Sequence, residues 1–325
     1  MTENKPRIDI LLATYEPRMD WLRQQLLSLE EQDYPNLYLH IRDDASPTVS
    51  LEEIKSLAGE CVRSFPFTVE RNGKNLGSNA VFERLVEEAE GEYIAFCDQD
   101  DVWLEGKLSL LQETMEREGA LLVCSDMTII DDAGRETAES ITAIRRHHVF
   151  RSGEGQWDTL WYSNFASGCA LLVRTAEAKR AVPFNPHMYY DHYIALCCAD
   201  RGRVISLPER KLLLHREHGS NQSSLLRGVT DRESYIRVRV EEKYRAVDWL
   251  WEHMDASPAL RDRLREGRAW LDARRRYAAG DRSAAATVWK YRRFGPRAAA
   301  LELALPYLPE GALRLVLREA RKNRI

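Results

Sequence analysis

The sequence predicts an α/β fold, an open and mostly parallel sheet flanked by helices, followed by a helical C-terminal extension. Over about the first 225 residues, short apolar segments typical of buried strands alternate with segments of helical periodicity. This alternation is typical of parallel strands joined by right-handed crossovers. After about Ser224 only helical periodicity remains. We therefore predict an α/β domain over residues 1–225 and a helical region over residues 226–325.

The first elements form a strand, helix, strand unit. Residues 8–14 are a continuous apolar run closed by polar residues, which is typical of a strand buried on both faces of a parallel sheet. An apolar stripe at helical spacing follows from Trp21 to Leu29, and Pro35 ends it. A second strand is predicted over residues 37–41.

The same pattern continues along the chain. Helices are predicted near residues 51–58 and over 78–90, and strands over 67–70, 93–97, 121–124 and 169–174. In the C-terminal region, helices are predicted over residues 235–253, 258–277 and 281–293 and in the last thirty residues.

Composition and charge exclude several classes of protein. The 325 residues are 44% hydrophobic and include only 17 Gly and 12 Pro, so a disordered chain, a collagen and a disulfide-stapled miniprotein are excluded. The net charge of -4 does not favour nucleic acid as a partner. The charge is unevenly distributed, because residues 258–325 contain 17 basic and seven acidic residues.

The cysteines and the N-terminus predict a cytoplasmic protein. The six cysteines lie mostly in apolar runs and show no CxxC spacing, so we expect buried free thiols in a reducing compartment and no zinc site. Residues 1–6 are polar and lead directly into the first strand. We therefore expect neither a secretion signal nor a membrane-spanning segment.

The predicted strands end in acidic side chains, and ligands of open α/β sheets bind at these carboxyl ends. The first strand ends without a glycine-rich phosphate turn, so a nicotinamide or flavin dinucleotide is not expected. The polar residues at the ends of the first, second and fourth strands are Thr14, Tyr15 and Glu16, then Asp43 and Asp44, then Asp98, Gln99, Asp100 and Asp101.

The three carboxylates after the fourth strand predict a divalent metal site. Asp98, Asp100 and Asp101 repel one another unless a cation or a proton relieves them. Oxygen ligands suit Mg²⁺ or Mn²⁺, which keep few protein ligands and use substrate phosphates for the rest of their coordination sphere. The alternative is a solvated turn, and for Asp43 and Asp44 an Asx-type turn.

Six segments carry a family resemblance. They are residues 10–15, 42–46, 75–77, 93–103 with Lys107 and Leu108, 167–170, and 215–221. In order and spacing they resemble family-two glycosyltransferases of the GT-A fold, over about residues 8–223. The Asp-Gln-Asp-Asp-Val-Trp segment and the Arg-x-His-Gly-x-Asn segment are most similar to bacterial rhamnosyltransferase-type enzymes that build surface polysaccharides.

The resemblance implies a site for a nucleotide-sugar donor. Nucleobase contacts are implied for Thr14, Tyr15, Asp43 and Asp44, a ribose contact for Asp98, and metal binding for Asp100. The metal would stabilise the leaving nucleoside diphosphate as a Lewis acid. The same donor site would include Glu16 and Gln99, and also Asn75 and Gly77, which precede a helix whose N-terminal amides would face the diphosphate or the sugar.

The resemblance also implies a catalytic base and a second metal ligand. Asp191 aligns with the acidic residue that opens an apolar helix near the acceptor, and it would deprotonate the acceptor hydroxyl. Capping of that helix is the alternative role for Asp191. His218 follows the last predicted strand and would complete the metal site, for which imidazole suits Mn²⁺ better than Mg²⁺.

The reaction implied is an inverting, metal-dependent transfer of one sugar to a saccharide or lipid-linked glycan acceptor. The expected donor is dTDP-L-rhamnose, and the alternative is a UDP-linked galactose, glucose or N-acetylhexosamine. A haloacid-type phosphatase would need an aspartate where the first strand ends in Thr14 and Tyr15, so it is disfavoured. A catalytically inactive binding module for nucleotide sugars or glycans is the alternative of another class.

The basic C-terminal helices have two interpretations. Residues 290–325 contain nine basic and three acidic residues, with leucines and a valine between them. Such a region suits the anionic inner face of the cell membrane and would bring the enzyme to a lipid-linked acceptor. The alternative is a solvated face of helices that pack on the α/β domain or on a second subunit. No nucleic acid partner is expected.

Overall fold

The computed structural model describes residues 5–145, 148–219 and 228–322, and side chains as far as residue 317. The predicted domain boundary at residue 225 lies outside these residues, and so do Ser220 and Asn221 of the last resembling segment.

One nine-stranded sheet forms the centre of the molecule. Its order is β3-β2-β1-β4-β8-β6-β9-β5, with β7 paired to β6. The strands are β1 (Ile8–Thr14), β2 (Leu37–Asp43), β3 (Phe67–Arg71), β4 (Tyr93–Cys97), β5 (Val102–Trp103), β6 (Leu122–Ile130), β7 (Glu136–Ala138), β8 (Leu171–Arg174) and β9 (Val204–Arg216).

Six strands run in one direction, whereas β5, β7 and β8 run against them. The mostly parallel sheet is therefore confirmed, with β8 inserted antiparallel between β4 and β6. The sequence predicts a strand at β8 but not its direction, because a buried apolar run looks the same in either orientation. The short strands β5 and β7 and the long strand β9 fall outside the strand ranges predicted from sequence.

Fourteen α-helices surround the sheet within the described residues. They are α1 (Met19–Glu30), α2 (Leu51–Cys61), α3 (Ser78–Glu88), α4 (Lys107–Glu118), α5 (Ile141–Ile144), α6 (Trp157–Leu160), α7 (Thr175–Arg180), α8 (Tyr190–Arg201), α9 (Arg232–Tyr235), α10 (Glu242–His253), α11 (Pro258–Ala278), α12 (Ala285–Lys290), α13 (Pro296–Ala304) and α14 (Glu310–Lys322). A π-helical turn over Ile236–Glu241 joins α9 to α10.

The two faces of the sheet carry separate hydrophobic clusters. On β1, successive side chains alternate between them, so Ile10 lies in one cluster and Leu11 in the other. The cluster containing Leu11 also includes Leu250 of α10 and Trp270 of α11. The first helices of the C-terminal region therefore share a core with the sheet.

Part of the apolar surface of α14 points inward, whereas Leu315 and Val316 are exposed. Leu313 and Leu317 are buried in a small cluster with Tyr235 and Leu305, whereas Arg314 is exposed. None of the described helices combines the length and the apolar character needed to cross a bilayer. All six cysteines are buried and unpaired, as predicted.

Candidate functional site

The carboxyl ends of β1, β2 and β4 meet at one edge of the sheet. Their register pairs Thr14 with Asp43 and Leu12 with Cys97, so the residues that follow each strand become neighbours. The Thr14 hydroxyl donates to Asp43 Oδ1 at 3.3 Å. Parallel pairing thus brings together side chains that are up to 84 residues apart in sequence.

The segments after β1 and β4 are joined by the Gln99 amide. The Tyr15 N–H donates to Gln99 Oε1 at 2.8 Å, and Gln99 Nε2 donates to the Tyr15 carbonyl at 3.1 Å. This pair of hydrogen bonds leaves the Tyr15 ring 46% exposed at the sheet edge. Glu16, at a positive φ of 45°, accepts from the Thr48 N–H at 2.8 Å. The loop after β1 is therefore fixed with an aromatic face open to a ligand.

Asp43 and Asp44 already form hydrogen bonds or an ion pair with other residues of the chain. Asp43 pairs with Arg71 at 2.7 Å and accepts from the Ser46 N–H at 3.0 Å. Asp44 accepts from the Leu76 N–H at 2.9 Å and from the Gly77 N–H at 2.8 Å. Both carboxylates hold loops at the sheet edge, and their contacts to a nucleobase stay a prediction.

Asp44 shapes the turn that leads into α3. Gly77 has a φ of 82°, which favours glycine, and both Asn75 and Gly77 are exposed. Because the Gly77 N–H is already used by Asp44, the N–H groups open to a ligand are those at the start of α3.

The acidic turn after β4 meets the end of β9. Asp100 Oδ2 and His218 Nε2 lie 2.7 Å apart, although 118 residues separate them. Both side chains are mostly covered, with 16% and 10% of their surface exposed. The His218 ring lies over Trp21 of α1, with the ring centroids 5.0 Å apart. The two side chains predicted to bind metal are therefore adjacent.

A second group of ligand-type side chains lies beneath this turn. Asp101, Cys169 and His215 are buried, and their ligand atoms lie within 4.8 Å of one another. His215 Nδ1 is 2.9 Å from Asp101 Oδ1, and the Arg216 N–H donates to the same oxygen at 3.0 Å. Burial opposes protonation of His215, but the Asp101 carboxylate raises its pKa to about 9.

The buried group is therefore an internal ion pair rather than an open ligand set. A protonated imidazole has no lone pair for a metal, and a thiol suits softer metals than Mg²⁺ or Mn²⁺. Burial opposes ionisation of Asp101, yet the charge and hydrogen bond of His215 lower its pKa. Asp101 and His215 thus anchor β9 under the acidic turn.

Arg216 ties the same turn to α1. Its guanidinium donates to the Asp100 carbonyl at 2.9 Å and to Gln24 Oε1 at 2.8 Å, and it lies 4.9 Å from the centre of the Trp21 ring. The side chain is almost fully buried. Arg216 therefore fixes the backbone that carries Asp100 and His218.

The charge of the turn is only partly neutralised. Burial, with the nearby charges of Asp101 and Asp100, raises the pKa of Asp98 to about 8. The buried Lys107 ammonium lies below the turn, donates to the Cys169 carbonyl at 2.5 Å and has a pKa lowered by burial to about 8. A carboxyl that resists ionisation indicates excess negative charge, which a cation would relieve.

Asp191 lies in the first turn of α8, and its charge is among those that raise the pKa of Asp98. Its Oδ2 accepts from the Gly168 N–H at 2.9 Å, and its Oδ1 accepts from the His192 N–H at 2.6 Å. Burial raises the pKa of Asp191 to about 6, although these two N–H groups oppose the shift. The N-cap residue of α8 is Tyr189, so Asp191 lies inside the helix, where it accepts from one N–H of the first turn.

His192 faces away from this chemistry. Its Nε2 lies 2.7 Å from the Leu160 carbonyl, and burial lowers its pKa to about 3. The ring is therefore neutral and its proton is directed at the backbone.

Two residues that position Asp191 were not assigned roles from the sequence. Asn79 of α3 donates to the Met188 carbonyl at 2.6 Å and accepts from the Tyr190 N–H at 3.0 Å, which holds the start of α8. Gly168 supplies an N–H to Asp191, and a Cβ at this position would lie 2.2 Å from the Tyr190 hydroxyl oxygen. The signal for Gly168 is present in the resembling segment 167–170, whereas no sequence pattern marks Asn79.

A sequence model of glycosyl transferase family 2 matches residues 9–180, which is more than half of the chain. The chain belongs to glycosyl transferase family 2. The matched residues include every strand end described above except that of β9. The predicted family is thereby confirmed.

Relatives within the family share about a quarter of their residues with this chain. An uncharacterised glycosyltransferase of Nostoc sp. is 24% identical over 241 residues, which cover 72% of each chain. The dTDP-rhamnosyl transferase RfbG of Shigella flexneri is 23% identical, over 65% of this chain and 73% of the relative. An uncharacterised protein of Mycobacterium tuberculosis is 26% identical, over 68% of this chain and 61% of its own length.

Solved structures of GT-A glycosyltransferases have the same fold. TarS of S. aureus, in complex with UDP-GlcNAc, matches 84% of this chain and 73% of its own, with a TM-score of 0.58 and 16% identity. The mannosyltransferase PcManGT of Pyrobaculum calidifontis, in complex with GDP-Man and Mn²⁺, matches 99% of this chain and 85% of its own, with a TM-score of 0.57 and 18% identity. The predicted GT-A fold is thereby confirmed.

Proposed function

We propose that this family 2 glycosyltransferase performs an inverting, metal-dependent transfer of one sugar from a nucleotide sugar to a glycan acceptor in surface polysaccharide synthesis. The observation that carries the proposal is the convergence of Asp100 and His218, 2.7 Å apart, at the sheet edge that also holds Tyr15. Asp191, at the start of α8, is a carboxyl of raised pKa whose charge acts on Asp98 of the same acidic turn.

The donor set at Asp100 and His218 fits a divalent ion. One carboxylate oxygen and one imidazole nitrogen, which contact each other directly, form a donor set that suits Mn²⁺. The high pKa of Asp98 reflects burial first and then the negative charges of Asp101 and Asp100 at the same turn. When bound there, the ion would supply Lewis-acid stabilisation of the departing nucleoside diphosphate.

Asp191 would serve as the general base. The acceptor hydroxyl oxygen forms a bond to the anomeric carbon while its proton passes to the Asp191 carboxylate. The bond from that carbon to the diphosphate oxygen breaks, and the nucleoside diphosphate leaves with the electron pair. A single displacement of this kind inverts the anomeric configuration. A pKa of about 6 suits a base that works near neutral pH.

The remaining predicted residues would bind the donor. The Tyr15 ring and the Asp43 and Asp44 loops would form the nucleobase pocket, with Thr14, Glu16 and Gln99 fixing its walls. Asp98 would contact the ribose. The N–H groups at the start of α3, after Asn75 and Gly77, would face the diphosphate or the sugar.

The proposed donor is dTDP-L-rhamnose. The support is the likeness to RfbG of Shigella flexneri and the Asp-Gln-Asp-Asp-Val-Trp segment at residues 98–103. A UDP-sugar is the second candidate, which the likeness to TarS in complex with UDP-GlcNAc favours. Both donors present the same diphosphate, so sugar choice depends on the pocket beyond it.

The acceptor would be a saccharide or a lipid-linked glycan, met at the inner face of the cell membrane. The support is the basic excess of residues 258–325. Leu313 and Leu317 of α14 pack inward, so attachment would rest on charge together with the exposed Leu315 and Val316 of the same helix.

Nucleotide-sugar binding with and without Mn²⁺ tests the proposal against an inactive binding module. We expect Asp100→Ala to lose metal-assisted donor binding, and Asp191→Ala to retain donor binding but lose transfer. Asp262→Asn, at an exposed carboxyl of α11, is the matched control and should change neither. Two results together would favour the inactive module. Donor binding would need no metal and would survive Asp100→Ala, and the native chain would turn over none of the donors.

A further inference from the structure

A cavity of about 230 Å³ lies in the helical C-terminal region, apart from the site described above. It is bounded by α9 and the following π-helical turn, by α11, and by the segment after α13. Three arginines line it, Arg232, Arg274 and Arg282, together with a single carboxylate, that of Glu302. The cavity wall therefore has a positive excess.

The Glu302 carboxylate already forms an ion pair with one of these arginines. Arg274 is buried and donates through Nε to Glu302 Oε2 at 2.6 Å, while the Tyr235 hydroxyl donates to Glu302 Oε1 at 3.0 Å. Arg232 lies 3.8 Å from Glu310, which is not among the lining residues. Glu302 thus balances Arg274, and Glu310 pairs with Arg232, which leaves Arg282 as the lining arginine without an ion pair among the described residues.

Arg282 is the unbalanced cation of this cavity. Its guanidinium lies 5.2 Å from the centre of the Tyr277 ring and 5.3 Å from that of Tyr307. It makes no ion pair with any residue in the described parts of the chain. Two aromatic faces hold the group in place but cannot neutralise it.

We propose that this cavity binds a phosphate group through Arg282, with Arg232 among the other residues that line it. Guanidinium groups bind phosphate oxygens through paired N–H donors, and phosphate offers enough acceptors for more than one arginine. The volume is several times the roughly 30 Å³ that one water molecule occupies. The site is separate from the proposed donor site and does not depend on the proposed function.

The phosphate has two chemical sources, an anionic lipid headgroup and a soluble phosphate or diphosphate. Ile236, Val240 and Leu305 give the cavity an apolar side, which a soluble phosphate does not need and the glycerol and acyl portion of a lipid would contact. The exposed Tyr307 ring, 73% accessible, stands beside Arg282 at the surface. The experiment distinguishes the two sources.

The test uses the full chain carrying Asp100→Ala, in EDTA, so that metal-dependent binding at the donor site is absent. Inorganic pyrophosphate binding is measured by calorimetry for this background alone, with Arg282→Gln, and with Arg292→Gln. Arg292 is the matched control, since it also lies over an aromatic ring, Trp289 at 4.3 Å, but does not line the cavity. Sedimentation with phosphatidylglycerol vesicles, against phosphatidylcholine vesicles, forms the second arm.

We expect Arg282→Gln to weaken binding in at least one arm by about tenfold or more, and Arg292→Gln to change it by less than about twofold. If Arg282→Gln weakens pyrophosphate binding, a soluble phosphate is sufficient as the ligand. If Arg282→Gln weakens only vesicle binding, the ligand is the lipid headgroup. Equal loss in both variants would overturn the proposal, because it would mean diffuse attraction by a basic surface. Absence of binding in both arms would overturn it too.

Discussion

We predict that the rate of sugar transfer falls at acidic pH, and this prediction depends most on the geometry around Asp191. Burial raises the pKa of this carboxyl from an ordinary 3.8 to about 6. A general base works in its ionised form, so the rate falls as the pH drops through the pKa. An Asp191 of ordinary pKa would leave the rate flat down to about pH 5.

The size of the effect follows from the shifted pKa. A group with a pKa of about 6 is about nine-tenths ionised at pH 7 and about one-tenth ionised at pH 5. We therefore expect kcat to fall about tenfold between pH 7 and pH 5. Asp191→Asn removes the base at every pH and should lower kcat by about a hundredfold or more.

The assay is product release at saturating donor, metal and acceptor from pH 5 to pH 8. Donor binding is measured at each pH, so that a change in the chemical step is separated from titration of the acidic turn. Asp262→Asn, on the exposed face of α11, should reproduce the native profile. The reasoning about Asp191 is refuted if kcat stays constant down to pH 5, or if Asp191→Asn keeps more than about a tenth of the activity.

Three further substitutions test packing and ion-pair contacts, two at the start of α8 and one in the helical C-terminal region. Gly168→Ala places a Cβ 2.2 Å from the buried Tyr190 hydroxyl, so it should lower the free energy of unfolding in urea by about 1–3 kcal/mol and also reduce transfer. Asn79→Ala releases the start of α8 and should lower kcat about tenfold or more while donor affinity changes less than twofold. Arg274→Ala leaves Glu302 buried without its cation and should cost about 3–5 kcal/mol in thermal or urea unfolding.

Each of these predictions has an outcome that contradicts it. Unchanged stability in Gly168→Ala would mean that the α8 terminus moves freely away from residue 168. A loss of donor affinity in Asn79→Ala as large as its loss in kcat would place Asn79 in donor binding rather than in positioning the base. For Arg274→Ala, a cost below about 1 kcal/mol would mean that solvent reaches Glu302.

The strand ends at the site were predictable because of a simple rule of parallel sheets. Asp43 and Asp98 follow buried apolar runs, and neighbouring parallel strands end at one edge, so their proximity follows from the pattern. The pairing of Asp100 with His218 across 118 residues is different. No local pattern encodes it, and it was expected only from the family resemblance.

The parts that the sequence did not predict depend on tertiary packing. The direction of β8 is set by its pairing between β4 and β6, not by its apolar residues. The pKa of Asp191 is raised by burial and partly restored by the N–H groups of Gly168 and His192, and only the folded chain supplies either effect. The sequence shows the basic charge of residues 258–325, but it does not show that Arg282 lines a cavity.

The most direct test of the central claim is a crystal structure of the chain with Mn²⁺ and a nucleoside diphosphate, with the ion located by its anomalous signal. The account predicts the ion at the position shared by Asp100 Oδ2 and His218 Nε2, bridging to the diphosphate, with the nucleobase against Tyr15. An ion held by Asp101, Cys169 and His215, or a diphosphate bound away from the end of β4, would contradict it.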